Sequence, residues 1–372
     1  MSAVELDPTW VEALRTQLLD WFQHHQRTLP WRGVDDPYYV WVSEIMLQQT
    51  QVATVIPYFE RFIQRFPTVQ ALAEAQLDEV LKYWEGLGYY SRARNLWRSA
   101  QQIVANGGEL PRSVDRLREL PGIGAYTAGA IASIAFNLPE PLVDGNVTRV
   151  LARLLWLKGN LKSGKAQKLL WQIARQLVDP QCPGDFNQAL MELGSTVCLP
   201  ALPNCAQCPV QSLCSAYQRG QPTAVPEVTP SKPARQVVDV SAMILRENTV
   251  LLAQRPVEGL WGGLWEFPRA TRTGRESVEQ LAMQIGTRHH LQVQPIRVVE
   301  SVKHAVTYSR IVLYGVLCRY QSGTPTQGDY QHIAWVPIES LGEYPLSAPQ
   351  RQLADRLETS PTQLEPRSLF EE

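Results

Sequence analysis

The sequence predicts a multidomain chain, all-α in its N-terminal part and α+β in its C-terminal part. Three observations carry this. Apolar residues recur at helical spacing from residue 8 to about residue 196. A Pro-rich stretch without apolar periodicity, residues 219–235, then interrupts the chain and reads as a linker. Beyond it, short β-branched and alternating runs replace the helical pattern. The expected parts are 1–218, the linker 219–235, 236–357, and a polar tail, 358–372, expected to be disordered. A length of 372 residues exceeds one ordinary core and agrees with two or three domains.

Hydrophobic content of 44% and charged content of 19% read as globular and soluble. The net charge of −1 announces no global positive field. From Gly145 to Val178, however, Arg149, Arg153, Lys158, Lys162, Lys165, Lys168 and Arg175 stand without one Asp or Glu. This local basic surface is either a solvated face or the footprint of a polyanion. The N-terminus carries Glu5 and Asp7 and no long apolar run, and no stretch reaches the roughly 20 apolar residues of a membrane span. The expectation is an intracellular, cytoplasmic protein with no membrane partner, its six cysteines reduced.

Residues 8–28 form the first helical pattern, with Val11, Leu14, Leu18, Trp21 and Phe22 on one face. Leu29-Pro30-Trp31-Arg32 breaks it and offers an exposed Trp-Arg pair for stacking and hydrogen bonding. The next helix runs from Trp41 through Val52, with Ser43 read as its N-cap and Glu44 in its first turn. Glu44 either complements the helix dipole or, in a dry cleft, becomes an acid near neutral pH. The run Gln48-Gln49-Thr50-Gln51 is either a solvated face or a set of groups presented to a base edge. Further helices are expected at about 54–65, 69–84 and 91–105. Between the last two lies Gly86-Leu87-Gly88-Tyr89-Tyr90, a hinged loop with an apolar tip beside Arg92, Arg94 and Arg98. It is either a capped turn with surface arginines or a wedge for a base stack.

Leu120-Pro121-Gly122-Ile123-Gly124 then turns between two helical patterns. It is either a plain αα-hairpin turn or an anion site, because glycines uncover backbone N–H groups at a helix start. Asp144 precedes the next helix and is either its cap or a functional carboxylate. Helices follow at about 147–157, 163–178 and 185–196. Cys198, Cys205, Cys208 and Cys214 are spaced C-x6-C-x2-C-x5-C, which asks for a metal centre. Four thiolates serve zinc or a [4Fe–4S] cluster, and the single short hook favours the cluster. Cys182 and Cys318 fall outside the pattern and are expected to be ordinary buried residues. In the C-terminal part, strands are expected at 237–245, 249–253, 298–302, 310–318 and 333–336, with a helix at 277–286.

Taken together, Glu44, the Gly-Ile-Gly hairpin, Asp144 and the four cysteines resemble the helix-hairpin-helix DNA glycosylases of the endonuclease III superfamily. Ser43-Glu44-Ile45-Met46-Leu47-Gln48-Gln49-Thr50, Gly86-Leu87-Gly88-Tyr89-Tyr90 and a second domain similar to the MutT (Nudix) fold point to the MutY-type branch. The resemblance covers nearly the whole chain. It implies a helical domain made of a six-helix part at about 30–142 and an iron-sulfur part at about 8–29 and 143–218, followed by a MutT-like lesion-recognition domain. It also implies a monomer that excises adenine mispaired with 8-oxoguanine or guanine from double-stranded DNA, in base excision repair. Bifunctional relatives carry a Schiff-base lysine two residues after the second hairpin glycine. Tyr126 stands there, which implies a monofunctional enzyme using water as the final nucleophile.

By the same resemblance, Glu44 protonates adenine at N7, Asp144 stabilises an oxocarbenium-like sugar, and Tyr126 and Asn146 support them. Trp31, Arg32 and Gln188 join Glu44 in an adenine pocket. Gln49, Thr50, Leu87 and Tyr89 touch DNA, with Gln49, Leu87 and Tyr89 as wedges, and Gly122 and Gly124 hold a phosphate. The four cysteines hold a structural [4Fe–4S] cluster that orders a basic loop. Two departures stand out. After Pro268 the Arg-Glu-x-x-Glu-Glu core of a Nudix hydrolase is missing. Where relatives carry a Phe-Ser-His lesion contact, this chain has Val306-Thr307-Tyr308, with Thr307 in place to supply a hydroxyl. The rival readings are an endonuclease III-like glycosylase-lyase, which Tyr126 opposes, a non-catalytic iron-sulfur DNA-binding protein, which the carboxylate pair opposes, and a Nudix hydrolase, which the missing glutamates oppose.

Overall fold

A computed structural model of the chain describes residues 5–34, 36–227 and 233–359. The expected tail beyond Thr359 and linker residues 228–232 lie outside the described residues. Among the described residues no helix is long and apolar enough to cross a membrane. The chain divides into two compact units, residues 1–73 with 98–230, and residues 74–97 with 231–372.

The first helices are α1 (Pro8–His25), α2 (Pro37–Leu47), α3 (Val52–Arg65), α4 (Val69–Glu74), α5 (Leu77–Tyr83) and α6 (Ser91–Ala105). They are followed by α7 (Val114–Arg118), α8 (Ala125–Ala130), α9 (Gly145–Leu154), α10 (Gly164–Leu177), α11 (Pro183–Thr196) and the short α12 (Ser215–Gln218). Asp7 caps α1 by accepting from the Thr9 N–H at 2.8 Å, with Pro8 preset for the first turn. Val11, Leu14, Leu18 and Phe22 are spaced three or four residues apart and bury one face of α1. That face enters one core with Val147, Val150 and Leu151 of α9, Leu170 and Ile173 of α10, and Phe186 and Leu190 of α11. Each such side chain contributes roughly 1.5–3 kcal/mol on burial.

The start of α2 differs from the expectation. Asp36 caps it by accepting from the Tyr38 N–H at 2.9 Å, and Pro37 opens it. Ser43 is not a cap. It is buried in the helix interior, where its hydroxyl donates to the Val40 carbonyl at 2.9 Å. Glu44 therefore sits toward the C-terminal end of α2, not in its first turn. Tyr38, Val40, Trp41, Val42, Ile45 and Met46 are all buried, so the helix is enclosed on most sides and shows no one-sided period. The helix expected at 69–84 is two helices, broken at Ala75-Gln76, where the Ala75 carbonyl accepts from the Trp97 indole at 2.9 Å. Between α7 and α8, Gly122 takes φ +78° and makes the hairpin turn. From α8 the chain continues into one π-helical turn, Ile131–Ala135.

The other unit contains α5, the first half of α6, and a seven-stranded sheet. Its strands are β1 (Arg235–Arg246), β2 (Thr249–Gln254), β3 (Trp265–Glu266), β4 (Arg269–Thr271), β5 (Leu291–Val306), β6 (Ser309–Gly323) and β7 (His332–Pro337). The order is β3-β2-β1-β6-β5, with β4 also pairing β1 and β7 pairing β2. Strands β1 and β6 run parallel, while β5 and β6 form a long antiparallel hairpin. Alternation in β1 sorts the two faces. Val240, Ala242 and Ile244 pack on Leu281 and Ile285 of α13 (Val278–Arg288). Met243 packs with Leu353 and Leu357 of α14 (Ala348–Thr359). The result is a sheet with a helix on each face.

Candidate active site and thiol loop

A cavity of about 160 Å³ opens in the helical unit. It brings together Trp31, Arg32, Glu44, Thr50, Tyr126, Asp144, Asn146 and Gln188 from five separate stretches of the chain. Glu44 is 5% exposed, and the Tyr126 hydroxyl donates to its Oε2 at 2.6 Å. Burial pushes the Glu44 carboxyl up from 4.5 to about 7. The Tyr126 hydrogen bond opposes this, the Asp144 charge adds to it, and Arg32 opposes it. Burial first, and then the charges of Glu44 and Asp144, hold the Tyr126 hydroxyl well above its ordinary value, so it remains a donor.

Asp144 caps α9 and also faces the cavity. Its Oδ1 accepts from the Val147 N–H at 2.7 Å and its Oδ2 from the Asn146 side chain at 3.0 Å. Capping of this kind contributes roughly 0.5–2 kcal/mol, and it leaves the same carboxylate on the cavity wall. Asn146 is held in turn by Arg149, whose Nη2 donates to its Oδ1 at 2.9 Å and to the Gly194 carbonyl at 2.6 Å. Gly194 of α11 backs directly onto Asn146, where an added Cβ would stand 2.7 Å from the Asn146 Cβ.

The same cavity carries a polar group that sequence reasoning missed. Glu192 is buried, and Arg27 donates to its Oε1 at 2.6 Å while Arg32 donates to its Oε2 at 2.9 Å. Burial opposes ionisation, but the bonds from Arg27 and Arg32 outweigh it and hold the Glu192 carboxyl below its ordinary value. Arg32 also donates to Gln188 Oε1 at 3.2 Å. The signal was available: Gln188 and Glu192 lie four apart on a helix between apolar Ala189, Leu190 and Leu193, and a buried carboxylate demands a cation. Trp31 is not the exposed platform expected. It is 7% exposed and packs edge-on against Phe59, with ring centroids 5.2 Å apart.

Gln49 is exposed beyond the end of α2 with φ +58°, whereas Gln48 turns inward and donates to Thr127 at 3.2 Å. Gly124 is the N-cap of α8, and an added Cβ there would meet nothing within 4 Å, so the hairpin backbone is open to an approaching group. Of the seven cations between 145 and 178, Lys158, Lys162, Lys165, Lys168 and Arg175 are exposed. Arg149 and Arg153 instead turn inward to the thiol loop. Arg153, 3% exposed, donates to the carbonyls of Leu199 at 2.7 Å, Pro200 at 2.8 Å and Val225 at 3.1 Å, and stands 3.2 Å from the Cys198 sulfur.

Cys198, Cys205, Cys208 and Cys214 are unpaired thiols lining one small cavity. Among the described residues, no group of three or more His, Cys, Asp or Glu side chains is arranged around a single ion. Burial pushes the Cys208 thiol up to about 12, so bare thiolates there are unfavourable without a cation. The loop from Leu199 to Leu213 contains no Lys or Arg, which corrects the expectation of a basic loop. Cys318 is buried as expected, whereas Cys182 is exposed at the start of α11.

In the other unit, Tyr89 is 51% exposed with φ +49°, but Leu87 is 6% exposed and packs inward. Arg92 and Arg94 are buried, not surface arginines. Arg94 donates to the carbonyls of Gly262 at 2.8 Å and Gly259 at 3.0 Å. Thr307 is exposed with φ +50° at the tip of the β5–β6 hairpin.

Residues 42–176 match the family model described as "HhH-GPD superfamily base excision DNA repair protein", and residues 240–356 match "NUDIX domain". A thermostable thymine-DNA glycosylase of known structure is 28% identical, with a TM-score of 0.52 over 57% of this chain and 98% of its own. Among curated proteins, the adenine DNA glycosylase of Rattus norvegicus is 38% identical, covering 92% of this chain and 77% of its own length. That of Mus musculus is 44% identical over 73% of this chain, which spans only 63% of the mouse protein. That of Buchnera aphidicola (strain Bp) is 36% identical, covering 80% and 83%. The chain belongs to the adenine DNA glycosylase family.

Proposed function

We propose that the chain hydrolyses the N-glycosidic bond of adenine mispaired with 8-oxoguanine or guanine in double-stranded DNA, acting as a monofunctional, monomeric glycosylase. The observation that carries this is a buried carboxyl, Glu44, poised near neutral pH in the same cavity as Asp144. A stacked adenine must be flipped to reach it. Glu44 donates its proton to N7, the C1′–N9 bond breaks with its electron pair going to N9, and adenine leaves neutral. Asp144 faces the resulting oxocarbenium-like sugar. Water adds at C1′ and gives its proton to a carboxylate. In this reading Arg32 and Gln188, which line the same cavity, contact the base. At position 126 a tyrosine hydroxyl bonded to Glu44 takes the place of an amine, so no Schiff base forms.

The thiol loop is proposed to hold a [4Fe–4S] cluster through Cys198, Cys205, Cys208 and Cys214. A single zinc ion requires every sulfur at about 2.3 Å from one point. The four thiols line one cavity, and their C-x6-C-x2-C-x5-C spacing with a single short hook supports the cluster over zinc. The cluster supplies cross-linking of the loop and no redox step in base removal. The wedge and phosphate roles of Gln49, Thr50, Leu87, Tyr89, Gly122 and Gly124 belong to the same proposal, as does lesion contact by Thr307. Leu87 must leave its buried position to serve as a wedge.

The test uses duplexes carrying one adenine opposite 8-oxoguanine, guanine or thymine. Strand scission only after alkali, fastest opposite 8-oxoguanine, is the expected outcome. Scission without alkali would identify a lyase and remove the argument from Tyr126.

A further inference from the structure

We infer that Glu192 is a positioning residue for base removal: it holds Arg32 at the cavity wall and neutralises it there, so that the proton stays on Glu44 until adenine takes it. The inference rests on the proposed glycosylase activity and adds to it a residue that touches no reacting atom.

The cavity of Glu44 and Asp144 is also lined by Arg27, Arg32 and Glu192. Glu192, on α11, is 1% exposed. Both of its oxygens are fully used. Oε1 accepts from the Arg27 Nε at 2.6 Å and from the Arg27 backbone N–H at 3.3 Å. Oε2 accepts from the Arg27 Nη2 and from the Arg32 Nη2, each at 2.9 Å. The two-pronged grip on Arg27 fixes the carboxylate plane, and that plane sets where Arg32 can bond.

Arg32 is anchored through every nitrogen of its guanidinium. Its Nε donates to the Gln188 side chain at 3.2 Å, its Nη1 to the Arg27 carbonyl at 2.9 Å, and its Nη2 to Glu192. Its guanidinium carbon lies 5.3 Å from the centroid of the Phe22 ring. A side chain held in this way does not swing, so its charge acts on the cavity from one place. Apolar replacement of a buried ion-paired group is often neutral or stabilising. A charged group of this kind beside the reacting carboxyls therefore points to work in the site.

The charges that act on Glu44 have defined signs. Burial first, and then the Asp144 charge, keep the proton on Glu44, while the Tyr126 hydrogen bond and the Arg32 charge oppose it. Helix α3 and the π-helical turn bring only Val52 and Ile134 to the cavity, so no charge enters from those sides among the described residues. Glu192 is ionised, because the bonds from Arg27 and Arg32 outweigh its burial. Two arginines and one carboxylate leave a single net positive charge on this wall. Without the Glu192 carboxylate there would be two, and a nearby positive charge favours an ionised carboxylate. Glu44 would then lose its proton at a lower pH.

The experiment measures single-turnover adenine release by the full chain between about pH 5 and 9, on a duplex with adenine opposite 8-oxoguanine. Wild type is compared with Glu192→Gln, Arg32→Gln and the double variant. Each profile is scaled to its own plateau, so a loss of stability or of base contact lowers the plateau and leaves the midpoint in place. Glu192→Gln is expected to move the fall in rate lower by about one pH unit. Arg32→Gln removes a cation and is expected to move it higher. The double variant restores the single net charge of the wall and is expected to return to the wild-type midpoint. It removes the pair as a unit, so it decides the matter where Glu192→Gln alone does not fold. A Glu192→Gln midpoint equal to wild type, or a double variant with the midpoint of Arg32→Gln, would overturn the inference while leaving the glycosylase reading intact. Wild-type release with no fall across this range would instead overturn Glu44 as the proton donor, and wild-type protein that releases no adenine would overturn the underlying activity.

Discussion

Burying the Glu44 carboxyl costs stability and produces the acid that the proposed reaction needs. Its rise from 4.5 to about 7 corresponds to roughly 3 kcal/mol against the ionised form. The sign follows directly: the folded pKa lies above the unfolded one, so the stability present below about pH 4.5 is lost as pH rises to about 7. Asp144 has the other environment, with both oxygens accepting hydrogen bonds. In the proposed reaction, these two carboxyls with different surroundings divide the work of donating a proton and facing a cation. The Asn146 side chain that holds Asp144 rests on Gly194, where a methyl group would stand 2.7 Å from the Asn146 Cβ. Gly194→Ala is expected to displace Asn146 at a cost of about 1–3 kcal/mol, lowering both the melting temperature and kcat with little change in KM. A melting curve and kcat both equal to wild type would show that the close packing does not hold Asp144. In the sequence, Glu44 and Asp144 were each readable as a helix-end carboxylate or as a functional one, and the family resemblance singled them out; the structure brings both to one cavity. Glu192 was legible only as a buried carboxylate in need of a cation; that Arg27 and Arg32 supply it, and that Gly194 backs Asn146, only the fold shows.

Among the elements, α2 and the thiol loop show what local pattern can and cannot reveal. Ser43 resembled a cap because it precedes an apolar run, but the true start signal is Asp36-Pro37, seven residues earlier. Nearly all of α2 is buried, and periodicity marks a helix only when one side meets solvent. Cysteine spacing needs no such contrast, and the four thiols do meet around one cavity. What spacing did not reveal is the use of Arg149 and Arg153. They read as surface cations, yet they hold the loop by its carbonyls, reaching Cys198 O at 2.8 Å and Leu199 O at 2.7 Å. If the loop carries a [4Fe–4S] cluster, iron analysis of the purified chain is expected to find four irons per molecule and Cys208→Ser to lose them, with a lower melting temperature for the helical unit. Stoichiometric zinc in the wild type would contradict the cluster.

At the scale of the whole molecule, the division into a helical unit and a sheet unit was legible because helical and strand periods differ and a Pro-rich stretch separates them. Residues 74–97 were read with the helical part, yet they cluster with the sheet unit, where Arg94 holds Gly259 and Gly262. Contacts between segments more than 160 residues apart leave no periodic trace in the sequence. If adenine leaves because a buried, protonated Glu44 donates to it, its release must follow the Glu44 proton. The measurement that tests this most directly is the single-turnover rate of adenine release by the full chain as a function of pH, beside Glu44→Gln. The expected rate is level in mild acid and falls as pH rises through about 7, with Glu44→Gln slower by about 10²-fold or more and lacking that fall. A wild-type rate independent of pH between 5 and 9, or a Glu44→Gln variant with the same profile, would contradict it.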